Sequence, residues 1–168
     1  MANGQASRAL LITHPAAMME AEAVEPGRRL DAPDTALELT SATGGRVVLA
    51  PGSAASIGPD GLLRLEPGAT AWVEAGPLMP VSVAIDASTT LEVTAAALVH
   101  RDASGAWATM QVTGSEATLH APQLVRQLEA GRVTTHRLSS NELRFERLAP
   151  ADCPAWVPAP GLGSDFAV

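Results

Sequence analysis

Lysine and tyrosine are absent from this 168-residue chain, cysteine occurs once, and five residues are aromatic: Trp72, Trp107, Trp156, Phe145 and Phe166. Each scarcity excludes something. Without lysine there is no Schiff-base chemistry and no lysine for a phosphate-binding loop, and all 11 basic residues are arginine. A lone Cys153, in the loop-like run Ala151-Asp152-Cys153-Pro154-Ala155-Trp156, excludes an internal disulfide framework and a cysteine-rich zinc site. It reads as an unpaired small residue near a tail. Five scattered aromatics form no stacking platform for single-stranded nucleic acid. A net charge of −7 and a pI near 5.0 argue against nucleic-acid partners in general, because phosphate binding needs a basic surface. No run reaches the roughly 18 apolar residues of a membrane span. The longest weakly charged stretch, Gly76 to Ile85, is interrupted by Pro77 and Pro80. The start shows no basic segment leading into an apolar one, since Met1 to Arg8 is polar and Ala9-Leu10-Leu11-Ile12 is short. The sequence reads as a soluble chain with no membrane insertion, and its 46% hydrophobic content excludes wholesale disorder.

What is present is strand pattern. Apolar residues alternate at Leu37/Leu39, Val47/Leu49, Leu63/Leu65, Ala69/Ala71/Val73, Val81/Val83/Ile85, Leu91/Val93/Ala95, Met110/Val112 and Ala117/Leu119/Ala121. Turn signals separate them, such as Gly58-Pro59-Asp60-Gly61, Ala103-Ser104-Gly105 and Thr113-Gly114-Ser115. This spacing predicts an all-β, single-domain sandwich or rolled sheet with at most one short helix. The predicted layout is an N-terminal tail over 1–8, a β-domain over 9–148 and a Pro/Gly-rich tail over 149–168. The better helix candidate is Pro122 to Gly131, with proline at the first helical position and glycine just past the end. Pro15 to Ala23 has helical composition too, yet the alternation of Met19, Ala21 and Ala23 fits an edge strand as well. A Pro-Gly tripeptide recurs at Glu25-Pro26-Gly27, Ala50-Pro51-Gly52 and Glu66-Pro67-Gly68, with Glu129-Ala130-Gly131 as a looser copy. Proline fixes φ near −65° and glycine accepts positive φ, so each copy predicts a type II turn.

The order of these turns and strands resembles the FecR domain, a β-rich module of bacterial envelope signalling regulators. That family runs from G-x-x-L through alternating apolar residues to G-S-x-x-x-L, and then to L-x-x-G-x-a-x-V. The corresponding text is Gly27-Arg28-Arg29-Leu30, then Leu37-Glu38-Leu39, then Gly52-Ser53-Ala54-Ala55-Ser56-Ile57. It closes on Leu65-Glu66-Pro67-Gly68-Ala69-Thr70-Ala71-Trp72-Val73. The resemblance is strongest over 10–85 and loose to 138. It implies a β-module that binds other proteins, in a bacterial envelope or an associated assembly. The anti-sigma and membrane segments of such regulators have no counterpart in this sequence, so the iron-signalling role is not carried over.

Chemistry is sparse. His14, His100, His120 and His136 show no metal-site spacing with one another or with a carboxylate. Leu65-Glu66-Pro67-Gly68 and Glu74-Ala75-Gly76 resemble the strand-turn rhythm of cupin barrels, but no histidine lies between Gly68 and Gly76. A metal-binding barrel would have to draw on distant residues, with His100, His120 and Glu116 the place to look. No G-x-S-x-G elbow surrounds Ser53. Glu20, Glu22, Glu25, Asp31, Asp34 and Glu38 read as a solvated acidic edge, whereas arginines at 126, 132, 137, 144 and 147 bias the C-terminal part towards positive charge. That asymmetry permits head-to-tail self-association. The sequence thus predicts no catalytic residues, no cofactor and no metal. It predicts a non-enzymatic protein-interaction or assembly module working through sheet edges and its tail, with Trp156, Phe166, Arg144 and Arg147 as partner-binding residues. The alternatives are a structural subunit of a particle, filament or envelope assembly, and a small-molecule-binding barrel.

Overall fold

The structure, a computed structural model, describes residues 11–14, 17–23, 27–40, 45–59, 61–77, 79–140, 142–147, 154–155 and 157. Sixteen strands are formed, and no helix lies among the described residues. They are β1 Leu11–His14, β2 Ala17–Ala23, β3 Arg29–Ala32, β4 Leu37–Thr40, β5 Arg46–Leu49, β6 Ser53–Ile57, β7 Leu63–Leu65 and β8 Thr70–Glu74. There follow β9 Val81–Ala84, β10 Thr90–Val93, β11 Ala96–Arg101, β12 Trp107–Thr113, β13 Ala117–Ala121, β14 Leu124–Leu128, β15 Arg132–Arg137 and β16 Glu142–Arg147.

The strands form two sheets, as the alternation predicts: a nine-stranded sheet in the order β16-β15-β12-β11-β8-β5-β4-β1-β2 and a seven-stranded sheet in the order β14-β13-β10-β9-β7-β6-β3. The chain lays strands into one sheet, crosses to the other, and returns, moving steadily from one end of the sandwich to the opposite end. Pairing is antiparallel throughout except for a parallel bridge between β7 and β9 at Arg64 and Ala84. Residues at alternate positions fill the space between the sheets. Leu39, Leu49, Val73, Val99 and Met110 point in from the larger sheet, and Leu30, Ile57, Leu65, Val83, Leu91 and Leu119 from the smaller one. Buried alanines at 55, 71, 97, 108 and 117 let the layers approach closely, so a chain with few aromatics still fills its core.

Two of the Pro-Gly tripeptides are corners, and Glu25 and Pro26 of the third lie outside the described residues. Ala50-Pro51-Gly52-Ser53 carries the chain from β5 to β6 in the other sheet, and Glu66-Pro67-Gly68-Ala69 carries it back from β7 to β8. In each corner the last residue donates its N–H to the first carbonyl at 3.0 Å, and Gly52 and Gly68 have φ of 85° and 87°. A Cβ there would carry the strain of left-handed backbone. The looser copy, ending at Gly131 with φ of 82°, is the corner between β14 and β15.

The helix expected over Pro122 to Gly131 is instead a hairpin. Ala121 pairs with Leu124, so Pro122 and Gln123 form a two-residue turn, with Gln123 at a φ of 60°. A helix would have needed Leu124, Val125 and Leu128 on one buried face. In the strand only Leu128 is buried, and Val125 is 69% exposed. Ala17–Ala23 is the edge strand that its alternation allows.

Candidate interaction surfaces

Two surfaces carry side chains that the sandwich core does not use. The first lies at one end of the sandwich, where among the described strands β16 is the edge of the larger sheet and β14 an edge of the smaller. Open edges expose unpaired backbone groups, and their side chains decide what can add to them. On the outer face, Trp107 of β12 stands beside Arg137 of β15, and the guanidinium groups of Arg137 and Arg144 lie 5.7 and 5.3 Å from its ring centroid. Arg144 also donates to Glu142 at 3.3 Å. Across the mouth between the sheets, Arg126 of β14 lies 5.1 Å over the ring of Phe145 of β16. Both partners are exposed, and Val125 next to Arg126 is exposed as well. Arg132 pairs with Glu129 at 3.5 Å. Arg126 and Arg137 lie over aromatic rings, and Glu142, which stands across from Arg137 in the register, bonds Arg144. Planar guanidinium on an aromatic face leaves its N–H edge available to a carboxylate on a partner.

The second surface is the outer face of the larger sheet. Successive strands place Val48, Trp72, Leu98, Gln111 and Val133 side by side in one row. Next to it runs an ion network. Arg46 grips Glu74 with two hydrogen bonds of 2.9 Å and reaches Glu38 at 3.1 Å, and the Trp72 indole N–H donates to Glu74 at 2.5 Å. Burial alone would raise the Glu74 pKa, but hydrogen bonds from Arg46 and Trp72, with the Arg46 charge, hold it below the usual carboxylate value. Trp72 is only 4% exposed, because Val157 of the C-terminal segment packs with it and Val48. Pro154 accepts a hydrogen bond from the Val157 N–H at 3.0 Å, a turn that presents the valine.

These surfaces redistribute the residues singled out in the sequence. Arg144 sits in the arginine-aromatic cluster. Arg147 ends β16 and its side chain lies outside the described residues, as do Trp156, Phe166 and Cys153. Sequence reasoning missed Trp107, Phe145 and Arg126 as a group, since the contacts join strands β12, β14 and β16 and have no local spacing. It missed Trp72 as the centre of the outer face, although a tryptophan at an outward position of a strand was a readable signal. Glu38 is not part of a solvated edge: its side chain is 19% exposed and bonded to Arg46. Asp31 pairs with Arg29 at 2.6 Å, and Arg29 also holds Glu66 at 2.8 Å. His100, His120 and Glu116 do not meet. Strand parity puts His100 on the outer face of the larger sheet, hydrogen-bonded through Nδ1 to Thr70 at 2.8 Å, and His120 on the outer face of the smaller. His136 is fully buried on the inward face of β15. Among the described residues no three His, Cys, Asp or Glu side chains converge as metal ligands, and no helix is long and apolar enough to cross a membrane.

No protein-family model matches the sequence, and no curated protein matches it. The fold has solved counterparts. Two crystal structures of a "putative anti-sigma factor" from Parabacteroides distasonis superpose with a TM-score of 0.56 at 14% sequence identity. The match covers 73% of this chain and 61% of the counterpart, so the chain spans about 61% of that protein's length. At this identity the likeness is one of fold.

Proposed function

We propose that this chain is a non-enzymatic regulatory module of the FecR-like kind, binding protein partners through its C-terminal sheet edges. The observation that carries the reading is that β14 and β16, the outermost described strands of the two sheets, lie at the same end of the sandwich. Two edge strands there present Val125 and Phe145, with Trp107 of β12 close behind, among Arg126, Arg137 and Arg144 stacked on the aromatic rings. An extended acidic segment adding to either edge would gain backbone hydrogen bonds and carboxylate–guanidinium pairs together. The fold shared with a chain described as an anti-sigma factor supports a signalling role for that partner.

A photo-crosslinking residue at Val125, introduced in the source organism, tests this. The expected product is a covalent adduct with a signalling or transport protein, absent when the crosslinker replaces Glu92 on the other end of the neighbouring ladder. No adduct at Val125 above that control removes the reading.

One observation favours self-assembly as a second reading. The nine-stranded sheet ends in β2, whose strand contains Glu20 and Glu22, and in β16, which carries Arg144 and Arg147 alongside Glu142 and Glu146, so carboxylates of one molecule's edge could meet the arginines of another's. A heterologous contact of that kind does not close and would build a filament. In the same experiment it yields an adduct between two copies of this chain.

A further inference from the structure

Along one row of the larger sheet's outer face the side chains are buried or, at Leu98 and Gln111, half-buried. Val48 at 0%, Trp72 at 4% and Val133 at 6% exposure all lie on that face. Yet outward positions of a sheet that faces water are normally accessible. The described residue found on the row is Val157, turned in by the Pro154 bond. β16 ends at Arg147 on the edge of this sheet, and Val157 lies over β8 and β5, four and five strand spacings away. That is about 19–24 Å at the usual spacing of neighbouring strands. Ten residues of extended chain reach up to about 33 Å, so the distance is easily spanned. The segment also carries Pro150, Pro154, Pro158 and Pro160, which cannot donate to a ladder and favour an extended form. Proline-rich segments dock on grooves lined by aromatic side chains because little freedom is left for them to lose.

We propose that the row Val133–Gln111–Leu98–Trp72–Val48 is a docking groove for a proline-rich segment, and that its occupant is this chain's own C-terminal segment, turned at Pro154 and anchored by Val157. The indole N–H of Trp72 donates to Glu74, which Arg46 holds while itself reaching Glu38, so the ring is oriented by bonds that do not involve the segment. The groove is independent of the β14 and β16 edges and stands or falls without them.

The full chain labelled with 5-fluorotryptophan gives one 19F resonance for each tryptophan, and Trp72→Phe identifies that of Trp72. Substitution Val157→Asp is expected to move the Trp72 resonance and to raise its broadening by a soluble paramagnetic agent several-fold, leaving Trp107 unchanged. A Trp72 resonance that neither moves nor broadens overturns the proposal. A peptide of residues 149–168, added to the Val157→Asp chain under reducing conditions, is expected to return the resonance saturably to its original position. Failure to do so means the face is fixed packing and no groove. Dilution of the unsubstituted chain is expected to change nothing, and a resonance that shifts on dilution assigns the occupant to a second copy and overturns docking within one chain. Should Val157→Asp abolish the β-sheet circular dichroism, Val157→Ala serves in its place, with a smaller shift expected and none overturning the proposal.

Discussion

Glu74 concentrates the electrostatics of the outer face in one carboxylate, which accepts from Arg46 and from the Trp72 indole while only 23% of its side chain is exposed. Burial opposes its charge, but these donors and the Arg46 charge outweigh burial and lower its pKa in the folded chain. The unfolded chain therefore takes up the proton first as pH falls. The stabilisation is complete above the ordinary carboxylate range near about 4.3, shrinks as pH drops through it, and is gone below the folded value. Glu74→Gln is expected to cost about 1.5–3 kcal/mol in urea unfolding at pH 7, the range for hydrogen bonds to a charged group. The difference from the parent chain should narrow in strong acid; a difference constant from neutral to acid pH would show that the charge of Glu74 contributes nothing. Gly45 is constrained by space: a Cβ there would stand 2.1 Å from Val81 Cγ2 and 3.1 Å from the Glu74 carbonyl oxygen. Gly45→Ala should lower stability by about 1–3 kcal/mol through overpacking. Adding Val81→Ala should recover part of that loss, which a double-mutant cycle of unfolding midpoints measures.

At the scale of elements, the β13–β14 hairpin holds a non-glycine residue, Gln123, in left-handed backbone. That conformation costs about 1–2 kcal/mol, of which the extra freedom of unfolded glycine returns a part. Gln123→Gly is expected to raise stability by about 0.5–1 kcal/mol. Lower stability would mean that the glutamine side chain holds the turn. The same hairpin shows where the sequence is hard to read. Proline, three leucine or valine positions and a following glycine satisfy the helix template, and only the unpaired edge of β13 decides for a strand. β4, β5, β7 to β10, β12 and β13 are legible because leucine, valine or methionine marks their inward face. β15 is not, because its inward positions include Thr134 and His136, both buried and both polar by type. β6 hides similarly behind Ser53, Ala54, Ala55 and Ser56. The corners were legible, since a proline followed by a glycine states its own dihedral angles. Of the interaction surfaces, Arg144 was legible as a basic residue near the end of the domain. Its ring partner Trp107 was not, since two strands β12 and β16 meet over β15 only once the sheet order is known.

Across the whole molecule, stability should be graded from the middle outwards. β5, β8 and β11 in one sheet and β7, β9 and β10 in the other are paired on both sides and bury their inward residues fully. β2, β3, β14 and β16 are edges. Native-state hydrogen exchange is expected to be slowest in the central strands and fastest at the four edges. Uniform protection would indicate that an edge is covered in solution, by another copy or by another segment. The alternation of the chain between sheets has a further consequence for how the molecule comes into being. No strand pairs with one more than three places away in the chain, so each pairing closes a short loop. During synthesis, every emerging hairpin would find its neighbour already laid down, and the sandwich could lengthen from the ribosome like cloth from a loom. Val157 would then settle over Trp72 only after the strands beneath it are in place.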